Sequence, residues 1–216
     1  MPFPDIEDLI RQGHFGAAEQ LILAFSADAE GVDRALLAGH LAELAGEHSR
    51  AGRTEDTARA LNLIKDLGGQ GLELPLARAG LSLMNAWIDR GASPEAASVL
   101  NDMPGGPLVG PPHPDPKLER LLFVGCVNLL SSLADQRDIE EAEALFQAMG
   151  KRGMSPENSD LFALAALNLV ILYVHAGRPS DADALAREME GYGDGEEAKE
   201  YCARARKILS GLDGAP

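Results

Sequence analysis

Residues 174–189 read VHAGRPSDADALAREM, and this stretch carries the pattern that decides the fold. Gly177 follows an apolar run, and Ala182 and Leu185 come five and eight residues after it. Glycine adopts the left-handed conformation that ends a helix at little cost, and Pro179 suits the first turn of the next helix. The small alanine allows two helices to approach closely, and the leucine fills the space one turn later. The stretch therefore predicts an antiparallel helical hairpin.

The same pattern occurs five times along the chain. It reads GHFGAAEQL from Gly13 and RDIEEAEAL from Arg137. With one residue inserted, it recurs as GRTEDTARAL from Gly52 and GASPEAASVL from Gly91. Successive turn residues, from Gly13 to Gly177, are 39, 39, 46 and 40 positions apart, and a period near 40 residues indicates a helical-repeat architecture. We predict an all-α protein, an α-solenoid of stacked antiparallel helical hairpins.

The period also predicts how the chain is divided. The segment PGGPLVGPPHPDP holds six of the thirteen prolines, and proline at this density cannot continue a helix. A surface connection, a hinge and a proline-rich ligand segment are all consistent with this composition. We predict a single helical-repeat domain over 1–216, made of a truncated first repeat (1–30), repeats two and three (31–103), the Pro/Gly-rich connection (104–116), repeats four and five (117–190) and a capping helix (195–212).

Composition sets limits on the class of protein. The chain has 216 residues, of which 45% are hydrophobic and only 5% aromatic, which favours closely packed helices over sheet. The net charge of −15 opposes polyanionic partners such as nucleic acid or an anionic membrane, and suits a basic or apolar peptide partner. The acidic opening is not a signal peptide, and the apolar run 161–174 is shorter than the roughly 20 residues that span a bilayer. We expect a cytoplasmic protein with no membrane partner, and we expect Cys126 and Cys202 to be buried free thiols.

The repeats resemble the tetratricopeptide family, and more loosely the pentatricopeptide family. The segment AEALFQAMGKRGMSPE, residues 142–157, is especially similar to a pentatricopeptide second helix with its trailing glycine and proline. In the tetratricopeptide family, the first helices of successive hairpins line a concave groove that binds extended segments of partner proteins. The other residues that carry the resemblance are Leu169, Tyr173, Gly177, Ala182 and Leu185 in the last repeat, and Leu129, Leu133, Ala142 and Phe146 in the repeat before it.

The resemblance also indicates candidate partner-binding residues. Asn128 and Asn168 each lie nine residues before their turn residue, at the position where the tetratricopeptide family carries a groove asparagine. An asparagine amide can donate to and accept from a peptide backbone at once. The equivalent positions of the earlier repeats hold Glu43 and Ser82. We expect these four side chains to contact a partner polypeptide; ordinary solvated polar positions are the alternative.

Motifs for catalysis are missing from the sequence. It has no P-loop, no GxGxxG and no nucleophile elbow. His40, Glu43 and Glu47 fall on one side of a predicted helix with a spacing that can hold a divalent metal, but no second helix offers a complementary ligand. We interpret them as a polar helix face. The prediction is a non-catalytic interaction module (an adaptor, a chaperone-like protein or an assembly factor) with no catalytic residue, no metal and no cofactor.

Two alternatives to a peptide-binding module follow from other features. RNA binding is suggested by the pentatricopeptide-like segment, yet the dense basic positions, Lys151–Arg152 and those at 204–207, read as solvated helix ends. Self-association into a structural scaffold, and hence a homo-oligomer, is suggested by the truncated first repeat, which can leave an apolar edge uncapped.

Overall fold

The computed structural model describes residues 4–27, 29–106, 108, 111–153, 155–192 and 195–212. Within these ranges every regular element is helical, which confirms the predicted all-α class. The helices are α1 (Pro4–Arg11), α2 (Phe15–Ser26), α3 (Val32–Arg50), α4 (Thr54–Leu67), α5 (Glu73–Ile88), α6 (Ser93–Asp102), α7 (Pro116–Gln136), α8 (Ile139–Arg152), α9 (Ser159–His175), α10 (Pro179–Glu188) and α11 (Glu196–Leu212), with short 3₁₀ turns at Pro156–Asn158 and Met189–Gly191.

The five predicted turn residues all adopt the left-handed conformation. Their φ angles lie between 60° and 78°, and Arg137 is the one non-glycine residue with positive φ in the described part of the chain. At Gly177 the amide donates to the Val174 carbonyl at 3.1 Å, and the next amide donates to the Tyr173 carbonyl at 2.8 Å. The same two hydrogen bonds recur at the other four turns and satisfy carbonyls that a helix end leaves open.

A small residue lies five positions after each turn residue and is completely buried. After Gly52 and Gly91, where the sequence pattern has one residue inserted before its leucine, the position five residues after the turn holds Thr57 and Ala96. Both residues are fully buried, like the alanines of the other three repeats. Thr57 is tolerated because its hydroxyl donates to the Arg53 carbonyl at 3.0 Å. The five buried residues are Ala18, Thr57, Ala96, Ala142 and Ala182.

The first compact unit of the structure is Met1–Pro104. Its first helices, α1, α3 and α5, pack side by side, and each second helix packs on the first helix of its own hairpin. Helices α2 and α4 also contact the first helix of the next hairpin. The fully buried core is aliphatic and includes Ile22, Leu37, Leu41, Leu44 and Ile64.

The second compact unit is Gly105–Pro216. Helix α9 is its centre and contacts α7, α8, α10 and α11, so α7, α9 and α11 form a layer equivalent to the first helices of the other unit. Helix α11, the predicted capping helix, buries Ala198 and Ala205 and half-buries Tyr201, Cys202, Ile208 and Leu209. The side chain of Leu212 is outside the described residues.

A buried ion pair holds part of the Pro/Gly-rich connection against the second unit. The Arg152 guanidinium donates to both Glu119 carboxylate oxygens at 2.7 Å, and the two side chains are 2% and 6% exposed. Arg152 also donates to the Gly105 carbonyl at 2.7 Å, and the His113 amide donates to Glu119 at 2.8 Å. The interpretation of Arg152 as a solvated helix end was therefore wrong, because its charge is paired across 33 residues of sequence. Residues 107, 109 and 110 of the connection lie outside the described residues.

Burial raises the pKa of the Cys126 thiol to about 12, and also raises that of the half-buried Cys202. Both cysteines are free, as predicted, although Cys202 is less buried than expected.

Residues Pro156–His175 are long and apolar enough to cross a membrane by length and composition alone. In the structure this segment is mostly α9, which is enclosed by four neighbouring helices, and 56% of its most apolar window is buried. The core helix of a water-soluble protein passes the same test.

Candidate functional site

Asn128 and Asn168 lie at equivalent positions on the neighbouring first helices α7 and α9. Each is nine residues before its left-handed turn residue, and each is half-buried. Helices α7 and α9 pack against each other, so the 40-residue period places the two amides in the same register on adjacent helices. Asn128 already has an interaction within the protein. An asparagine amide has two donors and two acceptor lone pairs, so one amide can make several hydrogen bonds at once.

Apolar side chains adjoin both amides on the same helix faces. Four and seven residues before Asn128 lie Val124 and Leu121, and the equivalent residues on α9 are Leu164 and Leu161. All four are half-buried, while the residues between them are mostly buried. Residues spaced by three, four and seven share a helix face. Helices α7 and α9 therefore present two rows of aliphatic groups followed by a row of amides; we call these positions the amide face.

Charged residues lie at both ends of the amide face. At the N-terminal end Arg120 makes a bidentate ion pair with Asp160, with oxygens at 3.0 and 2.8 Å, and it also donates to the Glu157 carbonyl. The hydrogen bond from Arg120 lowers the pKa of Asp160 below its usual value, so the carboxylate stays ionised. At the opposite end the equivalent residues are Asp135 on α7 and His175 on α9, both exposed. The charge of Arg120 on α7 is thus already neutralised by Asp160 on the neighbouring helix α9.

Glu43 and Ser82 occupy the equivalent positions of the first unit, on neighbouring helices α3 and α5. The exposed Glu43 carboxylate is 3.6 Å from His40 Nδ1, and the Ser82 hydroxyl donates to the Arg78 carbonyl at 3.1 Å. A Cβ atom added to Gly46 of α3 would be 3.8 Å from the Ser82 hydroxyl, so these parts of α3 and α5 are close. The structure thus places the four predicted residues in two pairs, one in each unit; their contact with a partner stays a prediction.

A polar cleft of about 550 Å³ adjoins Glu43 between α1 and α3. Its lining includes Glu7, Glu47 and Arg50, and Arg50 is paired with Glu47. His40 is buried, and Glu47 is held by an arginine instead of meeting His40 and Glu43 at a common point. Among the residues that the structure describes, no three histidine, cysteine or acidic side chains are placed to hold a metal ion.

Sequence reasoning missed the buried pair of Glu119 and Arg152. Burial alone raises the pKa of the Glu119 carboxyl, but the hydrogen bonds from Arg152 and from the His113 amide outweigh burial, and the pKa is lower than usual. The available signal was Glu119 next to Leu118 and three residues before Leu122, on a face that is otherwise apolar. An acidic residue at such a position needs a buried partner.

Comparison with known proteins gives one partial match. The family model of the PPR repeat matches residues 126–154, which cover the second half of α7, the turn at Arg137 and α8. No curated protein and no solved structure matches the chain. The match shows similarity to a helical-repeat family and includes Asn128 and most of the segment 142–157; it does not confirm the resemblance to the tetratricopeptide family.

Proposed function

We propose that this chain is a non-catalytic, cytoplasmic binding module whose amide face holds an extended segment of a partner protein. The proposal rests on one observation. Asn128 and Asn168 lie at equivalent positions of two adjacent helices, beside two rows of half-buried aliphatic side chains. Axes of packed helices are about 8–10 Å apart. An extended chain covers that distance in about three residues, so the two amides match backbone groups three residues apart in one peptide.

Charge favours a neutral or basic apolar segment. The chain carries a net charge of −15, and Arg120, at the N-terminal end of the amide face, is already paired with Asp160. An acidic peptide would therefore meet general repulsion and find no free arginine at this end. The aliphatic rows would bury apolar side chains of the segment, and the amides would satisfy its backbone.

A peptide selection tests this proposal directly. Random twelve-residue peptides are selected on the full chain, and the affinity of the recovered peptides is measured by fluorescence polarisation. Two lost hydrogen bonds of about 1 kcal/mol each predict that Asn128→Ala/Asn168→Ala weakens binding roughly 30-fold. Gln147→Ala, which removes an exposed amide from the second helix α8, serves as the control and leaves affinity unchanged. Recovery of no peptide, or equal affinity of the double variant, contradicts the proposal.

Single-stranded RNA is a second candidate, favoured by the PPR-repeat match over 126–154. RNA binding depends on cations that neutralise phosphates. Here Arg152 is buried and Arg120 is ion-paired, within a strongly acidic chain. Fluorescence anisotropy with a labelled oligonucleotide pool at 50 and 200 mM salt distinguishes the two ligands. Salt-sensitive binding at micromolar protein that is lost in Asn128→Ala/Asn168→Ala would establish RNA as the ligand of the amide face.

Self-association is a third candidate, favoured by an apolar surface in the first unit. All four large hydrophobic residues that are exposed in the described part of the chain fall within residues 23–36, on α2 and the start of α3. They are Leu23, Phe25, Val32 and Leu36, of which Val32 is 76% exposed. Light scattering across a hundredfold range of concentration tests this candidate, since a constant monomer mass excludes it.

A further inference from the structure

A cleft in the first unit lies between helices α4, α5 and α6, on the side of the second helices. It has a volume of about 310 Å³. Its floor is apolar, and three polar side chains, Asn62, Lys65 and Asp102, are exposed at its mouth. An apolar cavity of about 150 Å³ is large enough to bind benzene, so this cleft has room for an aromatic ring. The apolar residues of the floor include Leu61, Leu76, Leu83, Trp87 and Val99.

The repeated architecture shows what fills the equivalent place in the second unit. When the left-handed turn residues are aligned, α8, α9 and α10 correspond to α4, α5 and α6. In the second unit Phe146 stacks on Phe162, with ring centroids 4.9 Å apart. The Tyr192 ring then meets Phe162 edge to face at 4.8 Å, and both Phe162 and Tyr192 are buried.

The first unit carries smaller side chains at the same positions. Leu61 is equivalent to Phe146, and Leu76 is equivalent to Phe162. Counted from the turn residues, the position equivalent to Tyr192 is 106, which lies beyond Pro104, the last residue of the first unit. Leucine in place of phenylalanine at these positions removes aromatic volume, while the arrangement of the helices is the same. The apolar floor residues of the cleft are therefore left without a covering ring.

We propose that this cleft binds an aromatic side chain, tyrosine or phenylalanine, of a partner polypeptide, in the way that the second unit binds its own Tyr192. The mouth favours a peptide over a lipid or a free hydrocarbon. Lys65 and Asn62 can donate to a backbone carbonyl, and Asp102 can accept from a backbone amide. Because Lys65 and Asp102 have opposite charges, the mouth matches a neutral, dipolar backbone and not a charged head group.

Trp87 makes the proposal directly measurable. It is the only tryptophan of the chain, it lines the cleft, and it is half-buried. A ring that enters the cleft displaces water next to the indole and changes its fluorescence. The probe is N-acetyl-tyrosine amide, titrated into the full chain, with N-acetyl-leucine amide and free phenol in parallel. For a ligand of this size we expect saturation in the range of about 1 mM.

A double variant fills the cleft with the residues that the second unit uses. Leu61→Phe/Leu76→Phe is expected to weaken binding of the tyrosine amide at least tenfold, while far-UV circular dichroism shows the helices intact. Leu81→Phe makes the same change on a half-buried residue of α5 that does not line the cleft, and it is expected to bind like the wild type. If the double variant loses helicity, Leu76→Phe alone is measured by ligand-observed NMR with the same expectation.

Several outcomes would overturn the proposal. They are no saturable change at Trp87, undiminished binding by the filled variants, equal binding of the leucine amide, and tighter binding of phenol than of the capped amino acid. If Trp87 fluorescence changes with protein concentration alone and light scattering shows a dimer, the cleft binds a second copy of the chain. That result would refute a separate partner. The site is independent of the amide face, so Asn128→Ala/Asn168→Ala should leave this titration unchanged.

Discussion

The buried pair of Glu119 and Arg152 gives the sharpest stability prediction. Arg152→Met removes two charge-assisted hydrogen bonds to a carboxylate that is 6% exposed, and it frees the Gly105 carbonyl. Removing one partner of a buried ion pair costs about 3–5 kcal/mol, because the other charge stays buried and unpaired. Glu119→Gln keeps the shape and an acceptor for the His113 amide, and it is expected to cost about 3 kcal/mol for the same reason.

The double variant Glu119→Leu/Arg152→Met separates pairing from packing. Replacing both charges by apolar groups is often neutral or stabilising. Here the His113 amide and the Gly105 carbonyl lose their partners, at about 1–3 kcal/mol each. The double variant should therefore be less stable than the wild type, but by less than the sum of the single variants Glu119→Leu and Arg152→Met, with a coupling of at least about 2 kcal/mol.

Urea unfolding is the appropriate assay for this cycle. All three tyrosines, Tyr173, Tyr192 and Tyr201, belong to the second unit, so near-UV circular dichroism of tyrosine reports on that unit. The pKa of Glu119 is lowered on folding, so its contribution is present above the unfolded pKa of about 4.3 and is lost as pH falls through the folded value. Additive single variants, or a cost below about 1 kcal/mol for Arg152→Met, would refute the reasoning.

Three further predictions concern single sites. Arg137→Gly should stabilise the chain by about 0.5–1 kcal/mol and Gly177→Ala destabilise it by about 1 kcal/mol in urea titrations, because both positions have left-handed φ; a loss of stability in Arg137→Gly contradicts this. Burial and the Arg53 charge lower the pKa of His48, so on acidification His48 is protonated in the unfolded chain at a higher pH than in the folded one. The free energy of unfolding should therefore fall as pH drops below about 6.5, and His48→Gln should flatten this dependence. Thiol reagents at pH 8 should modify Cys202 before Cys126, whose pKa is about 12, in the folded protein; equal rates would show that Cys126 is accessible.

Local signals were sufficient to predict the helical hairpins. The signal is a glycine with positive φ followed five positions later by a small residue, so it involves only neighbouring residues of the chain. The structure has positive φ at Gly13, Gly52, Gly91 and Gly177. Arg137 keeps the same φ and the same hydrogen bonds, which shows that its neighbours fix the turn at the cost of some strain.

Features that depend on distant residues were not predictable from the same signals. Arg152 resembles a solvated cation at a helix end, and its burial follows from Glu119, which lies 33 residues away. The cleft beside Trp87 follows from a comparison of side-chain volumes between two sets of three helices, which requires knowing that the helices correspond. Asn128 and Asn168 were identified by their distance from the turn together with the resemblance to the tetratricopeptide family, and the structure adds their shared register and their aliphatic neighbours.

The repeats separate the residues that fix the fold from the residues that we propose for binding. The turn residue and the buried small residue recur in all five hairpins, because they fix the path of the backbone and the distance between helices. The position nine residues before the turn varies instead: it holds Glu43, Ser82, Asn128 and Asn168 in successive first helices, and all four are half-buried or exposed. Substitution at such positions costs little stability, so this position can change its chemistry while the hairpin stays folded. The first unit thereby has a carboxylate and a hydroxyl where the second has two amides, and we predict that any ligand preference of each unit depends on these side chains.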